Sequence, residues 1–153
     1  MKLRTLLCAF ALVLLTGCGG ASASGIPECL TWTAQTLQSQ EDGDILAAAE
    51  GTSIQNVPLL NLTAQLDGGT ITLTDHAAGE TCTGTLYPAE DADPNAQVYT
   101  LAFPGQPEGY GVYGVTEYAD GSRDATLYLT INAQTLCLTA PLSETQETKR
   151  DEK

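Results

Sequence analysis

From Leu30 to Leu142, apolar and polar residues alternate along most of the chain, and threonine fills many of the polar places. Leu60, Leu62, Ala64 and Leu66 alternate with Asn61, Thr63 and Gln65. After Asp67-Gly68-Gly69, a hairpin signal, Ile71 and Leu73 alternate with Thr70, Thr72 and Thr74. Cys82, Gly84 and Leu86 oppose Thr81, Thr83 and Thr85, and Tyr99, Leu101 and Phe103 oppose Val98, Thr100 and Ala102. The pattern resumes over 110–118. It then runs through Leu127, Leu129 and Ile131, and after Asn132-Ala133-Gln134 through Leu136, Leu138 and Ala140. A period of two with β-branched residues on the polar face predicts half-buried strands. Leu30, Trp32 and Ala34 predict a first strand, while Ile45 to Ala49 fits either a strand or a turn of helix. Asp120-Gly121-Ser122, with Arg123 beside it, reads as a turn. The fold class expected is all-β: an antiparallel meander of about eight or nine short strands, closed into a barrel to hide its edges. A two-sheet sandwich is the second choice.

The first residues follow another pattern. Lys2 and Arg4 precede an apolar run over 5–16, interrupted only by two threonines. About a dozen residues suits the h-region of a signal peptide and falls short of the roughly 20 needed to span a bilayer. The run ends in Leu15-Thr16-Gly17-Cys18. This segment resembles a bacterial lipoprotein signal: an aliphatic residue at −3, small residues at −2 and −1, and cysteine at +1. The resemblance implies diacylglyceryl transfer to the Cys18 thiol, cleavage between Gly17 and Cys18, and an exported domain held on the extracytoplasmic side of the membrane. Two acyl chains anchor stably where one does not. The expected organisation is a signal peptide (1–17), a lipidated cysteine with a Gly/Ser/Ala tether (18–25), a β-domain (26–142) and a charged tail (143–153). The tether has an r.m.s. reach of roughly 15 Å, so the domain would stand close to the headgroups.

Charge narrows the partners. The chain carries six bases and nineteen acids, a net of −13. Without residues 1–17, four bases remain against nineteen acids, or −15, over the 136 residues left of 153. Such a domain repels nucleic acid and other anionic polymers. The tail after Leu142 has no hydrophobic residue and reads as solvated chain.

The mature domain, over about 28–142, loosely resembles the small lipocalin-like barrels carried by surface lipoproteins. The likeness rests on a tryptophan in the first strand, Leu30-Thr31-Trp32-Thr33, followed by successive hairpins. It implies a closed barrel whose mouth or outer face meets a small apolar ligand or a protein.

Candidate chemistry is sparse. Strand parity puts Cys29 and Cys137 on the polar faces of the first and last strands, which become neighbours when a meander closes. If a disulfide forms, Cys29–Cys137 is the expected pair, with Cys82 a buried free thiol. These thiols lack CxxC spacing and predict no metal site. His76 is the single histidine, in the turn Asp75-His76-Ala77-Ala78-Gly79, with only threonines as possible nucleophiles. Asp91-Ala92-Asp93-Pro94-Asn95 has the oxygen spacing of some calcium loops, but Ala96 stands where a glycine is needed. Glu41-Asp42-Gly43-Asp44 is a second acidic turn. Asn61-Leu62-Thr63 matches a glycosylation acceptor but is read as accidental, lying within a strand. Tyr99, Phe103 and Tyr113 are the residues expected to line a ligand site. No cofactor is expected and no catalytic residue is assigned. The sequence therefore points to a non-catalytic binding or interaction module. The alternative is an inhibitor or accessory subunit of a cell-envelope enzyme, acting through a loop such as 87–96 or 104–109.

Overall fold

Alternating threonines and aliphatics favour extended backbone, and Gly- or Asn-centred turns reverse it. A computed structural model of the chain describes residues 25–90 and 97–143. It contains nine strands: β1 Trp32–Ser39, β2 Ile45–Ala48, β3 Leu62–Asp67, β4 Thr70–Asp75, β5 Glu80–Pro88, β6 Val98–Ala102, β7 Gly109–Glu117, β8 Arg123–Ile131 and β9 Gln134–Leu142. There is no helix among the described residues.

The sheet order is β2-β1-β3-β4-β5-β6-β7-β8-β9, and β9 pairs back onto β1. Eight strands thus close an antiparallel barrel, lipocalin-like in architecture, and β2 is an extra strand beside it. One edge of β1 is shared by two neighbours. Trp32 and Thr33 pair with β3, while Thr36, Leu37 and Gln38 pair with β2. The opposite edge of β1 pairs with β9 from Thr33 to Ser39, with a register shift between Ala34 and Thr36.

Two turns show how local chemistry sets the hairpins. Gly68 and Gly69 both have positive φ, 56° and 80°, as a two-residue type I′ connection requires. Asn132 and Ala133 make the same kind of turn between β8 and β9, at φ 51° and 56°. Asn tolerates that region; Ala does not do so readily.

The barrel has two unlike ends. β1, β4, β6 and β8 begin, and β3, β5, β7 and β9 finish, at one of them. Residues 25–31 plug this end: Ile26 is fully buried, Leu30 nearly so, and the Glu28 carboxylate accepts the Gly68 N–H at 3.0 Å. The opposite end carries the turns 40–44, 76–79, 103–108 and 132–133.

Between the ends the lumen is packed. Trp32, Ile71, Leu86, Leu101, Leu127 and Leu138 are fully buried, and the Trp32 ring meets Tyr113 edge-on at 6.3 Å and 79°. Glycines make room for large neighbours. A Cβ on Gly84 would lie 2.6 Å from the Ala102 carbonyl oxygen and 2.7 Å from the Phe103 ring, and one on Gly111 would lie 3.0 Å from Leu86. An eight-stranded barrel is about wide enough for side chains to fill, and here they do.

At the level of single elements, the strand holds of the two readings left open for Ile45–Ala49, and other readings are corrected. β1 runs on to Ser39. Arg123 is not in a turn but opens β8, opposite Glu117 and Leu142, with its Nε enclosed. Asn61 stands just before β3 rather than within it.

Candidate functional site

The open end holds the most suggestive surface. Leu62, Leu73, Phe103 and Ile131 share the inward parity of their strands with buried residues deeper in the barrel, and the register shift in β1 brings Leu37 to the same face, opposite Leu136. All five pack on that core while remaining half-buried. They form a shallow apolar cup. Its floor is high because Phe103 lies over Gly84 and Leu86 over Gly111. The turns and strand ends at this end carry Glu41, Asp42, Asp44, Asp75, Glu80 and Glu108. Their loops are tied down locally. The Asp42 carboxylate accepts the Asp44 N–H at 3.1 Å, and the Asp75 carboxylate accepts the N–H groups of Ala77 and Ala78 at 2.8 and 3.1 Å. Hydrogen bonding to Ser39, with help from the Asp44 backbone, holds the Asp42 carboxyl below its ordinary value.

The expected ligand-lining residues divide. Phe103 reaches the cup. Tyr99 and Tyr113 are buried in the barrel core, and the Tyr99 hydroxyl donates to Gln97 at 3.1 Å. Gly17, Cys18 and the Asp91–Asn95 segment lie outside the described residues.

The thiols require correction. No disulfide joins Cys29, Cys82 or Cys137 to another described cysteine. Closure does bring β1 beside β9, but the register separates the two thiols. Cys137 stands opposite Thr36, whereas Cys29 lies before β1, at a left-handed φ of 63° in the segment at the plugged end. The strand from Thr36 back to Trp32 alone spans about 13 Å at 3.3 Å per residue, beyond disulfide reach. Cys82 is exposed rather than buried. Its parity is inward, as expected, but it sits near the start of β5, at the rim of the open end. Partial desolvation raises its thiol. Cys137 lies on the outer wall beside Tyr128. Burial raises its thiol, against the opposing effect of a hydrogen bond with Tyr128. Tyr128 is raised in turn, first by the neighbouring Cys137 charge, then by desolvation and that hydrogen bond.

His76 has a partner that the sequence hid: its Nε2 lies 2.8 Å from the Thr63 hydroxyl, across the β3–β4 ladder. The nearby Asp75 carboxylate is engaged with backbone N–H groups of its own turn. The pair is exposed, and among the described residues no acidic side chain is seen orienting the ring. Among the described residues, no group of three or more His, Cys, Asp or Glu side chains stands ready to hold a metal ion. On the outer wall, Tyr110, Val112 and Tyr128 form an exposed row on β7 and β8.

The fold and its open end define a class: a closed, internally packed eight-stranded barrel with an accessory strand. Comparison with protein-family models, with curated proteins and with solved structures finds no match to this chain.

Proposed function

We propose that this chain is a bacterial lipoprotein, lipid-anchored through Cys18. Its barrel acts as a non-catalytic binding module on the extracytoplasmic side of the membrane. The observation that carries this reading is polarity within the barrel. The described chain enters at the plugged end, where Gly25 and Ile26 lie, and leaves at the same end after Leu142. A short tether from Cys18 would keep that end near the headgroups and display the cup formed by Leu37, Leu62, Leu73, Phe103 and Ile131. The packed lumen favours a ligand that inserts a small apolar group over one that fills a deep calyx.

A second reading, an inhibitor or accessory subunit of an envelope enzyme, is favoured by one specific feature. The loop Pro104–Glu108 projects from the same displayed end.

Expression of the chain and of Cys18→Ser in a bacterium that processes lipoproteins tests the anchoring. The parent chain should fractionate with membranes and take up labelled fatty acid. The variant should do neither. Equal labelling of both would remove the lipoprotein reading.

A further inference from the structure

We infer that the open end receives a cationic peptide segment that inserts one apolar side chain into the cup, an inference that rests on the binding-module reading above. Three observations combine. First, the cup leaves aliphatic and aromatic surface uncovered, since Leu37, Leu62, Leu73, Phe103 and Ile131 are only half-buried. Second, that surface is shallow: Phe103 stacks over Gly84, and Leu86 fills the space over Gly111, closing the lumen beneath. A long alkyl chain would need the channel that these side chains occupy, whereas a single Phe or Leu side chain needs only the apolar surface above them. Third, the charge around the cup has one sign. Glu41, Asp42 and Asp44 come from the β1–β2 turn, Asp75 and Glu80 flank the β4–β5 turn, and Glu108 precedes β7.

Among the described residues the only Lys or Arg is Arg123, and it sits at the opposite, plugged end. His76 is the one other nitrogen base at the open end, and it is engaged with Thr63. Carboxylates spread over three loops around an apolar patch complement several positive charges spaced along a chain, more than a single ammonium on a small molecule. Like-signed charge around low-dielectric walls also concentrates cationic partners and excludes anionic ones.

The test uses the full chain and three fluorescently labelled pentapeptides: Lys-Lys-Phe-Lys-Lys, Lys-Lys-Ala-Lys-Lys and Glu-Glu-Phe-Glu-Glu, with Ser-Ser-Phe-Ser-Ser as an uncharged probe. Binding is followed by fluorescence anisotropy at low and high salt. Lys-Lys-Phe-Lys-Lys should bind best, and its affinity should fall about ten-fold on going from low to high salt as the rim charges are screened. Replacing Phe by Ala, or Lys by Glu, should abolish the signal. The combined variant Glu41→Gln, Asp42→Asn, Asp44→Asn should weaken binding about ten-fold. The variant Glu117→Gln, Asp120→Asn, at the plugged end, should leave binding unchanged. Equal effects of the two variants would show general charge attraction and overturn the inference. Equal binding of Ser-Ser-Phe-Ser-Ser and Lys-Lys-Phe-Lys-Lys would overturn the cationic specificity while leaving the mouth as a binding site. Binding by none of the peptides would overturn the inference alone; the module reading is judged separately by native mass spectrometry of the protein purified from its source, which a bound small molecule or partner protein would support and an empty domain would contradict.

Discussion

Adding one methyl group at either of two strand glycines should have opposite consequences. Gly84 on β5 and Gly114 on β7 both sit in paired strands. A Cβ on Gly84 meets the Ala102 carbonyl oxygen at 2.6 Å and the Phe103 ring at 2.7 and 2.8 Å, whereas one on Gly114 meets nothing within 4 Å. In both places Gly→Ala stiffens the unfolded chain, a gain of about 0.4–1 kcal/mol. At Gly114 nothing opposes that gain. At Gly84 the backbone oxygen cannot rotate aside, and overpacking of this kind costs about 1–3 kcal/mol. The expected outcome is that Gly114→Ala stabilises by about 0.5 kcal/mol and Gly84→Ala destabilises by about 1–2 kcal/mol. Trp32 is the only tryptophan and is fully buried in the lumen, so its fluorescence during urea unfolding reports the transition of the barrel itself. An unchanged slope with a lowered midpoint for Gly84→Ala would locate the effect in the folded state. A Gly84→Ala protein as stable as Gly114→Ala would show free space beneath Phe103 and refute the packed lumen, and with it the shallow cup.

Other consequences follow from the same structure. With no disulfide among Cys29, Cys82 and Cys137, reductant should leave the urea midpoint unchanged, and thiol alkylation of the native protein should modify exposed Cys29 and Cys82 before half-buried Cys137. A reductant-dependent midpoint would refute this. Tyr128 and Cys137 both titrate above their ordinary values in the fold. Their stabilising contribution is therefore complete below the unfolded-state values and is lost as pH rises through the folded ones. Alkaline pH should lower the unfolding midpoint, and Tyr128→Phe should flatten that dependence; an equally steep curve in the variant would contradict it. Ala133 holds a left-handed φ of 56°, so Ala133→Gly should stabilise by about 1 kcal/mol in the same urea assay. A loss of stability would show that this turn is not strained.

Much of the barrel was legible because strands buried on one face advertise themselves by period. From β3 to β9, each aliphatic alternation became a strand. In β1 the alternation is legible only from Leu30 to Gln35. Thr36–Ser39 has too few apolar residues to alternate clearly, and the register shift between Ala34 and Thr36 breaks the period. What alternation cannot convey is register, and the largest misreadings share that cause. β1 and β9 do meet, but Cys29 lies before β1, far from Cys137 within β9. Cys82 points inward but lies at the rim. Leu37, Leu62, Leu73, Phe103 and Ile131 look individually like core residues. Only their common position at one end distinguishes them from Leu86 or Leu127, and that position depends on how nine strands align. The His76–Thr63 pair was hidden for the same reason, since a turn residue meets a neighbouring strand only once the hairpin is in register.

The proposal of a barrel tethered through Cys18 by its plugged end is tested directly by intact mass measurement of the protein extracted from the membranes of its source cells. The expected mass is that of a chain beginning at Cys18, heavier than residues 18–153 by a diacylglyceryl group on that residue. A mass that retains residues 1–17, or a chain beginning at Cys18 with an unmodified thiol, would contradict it.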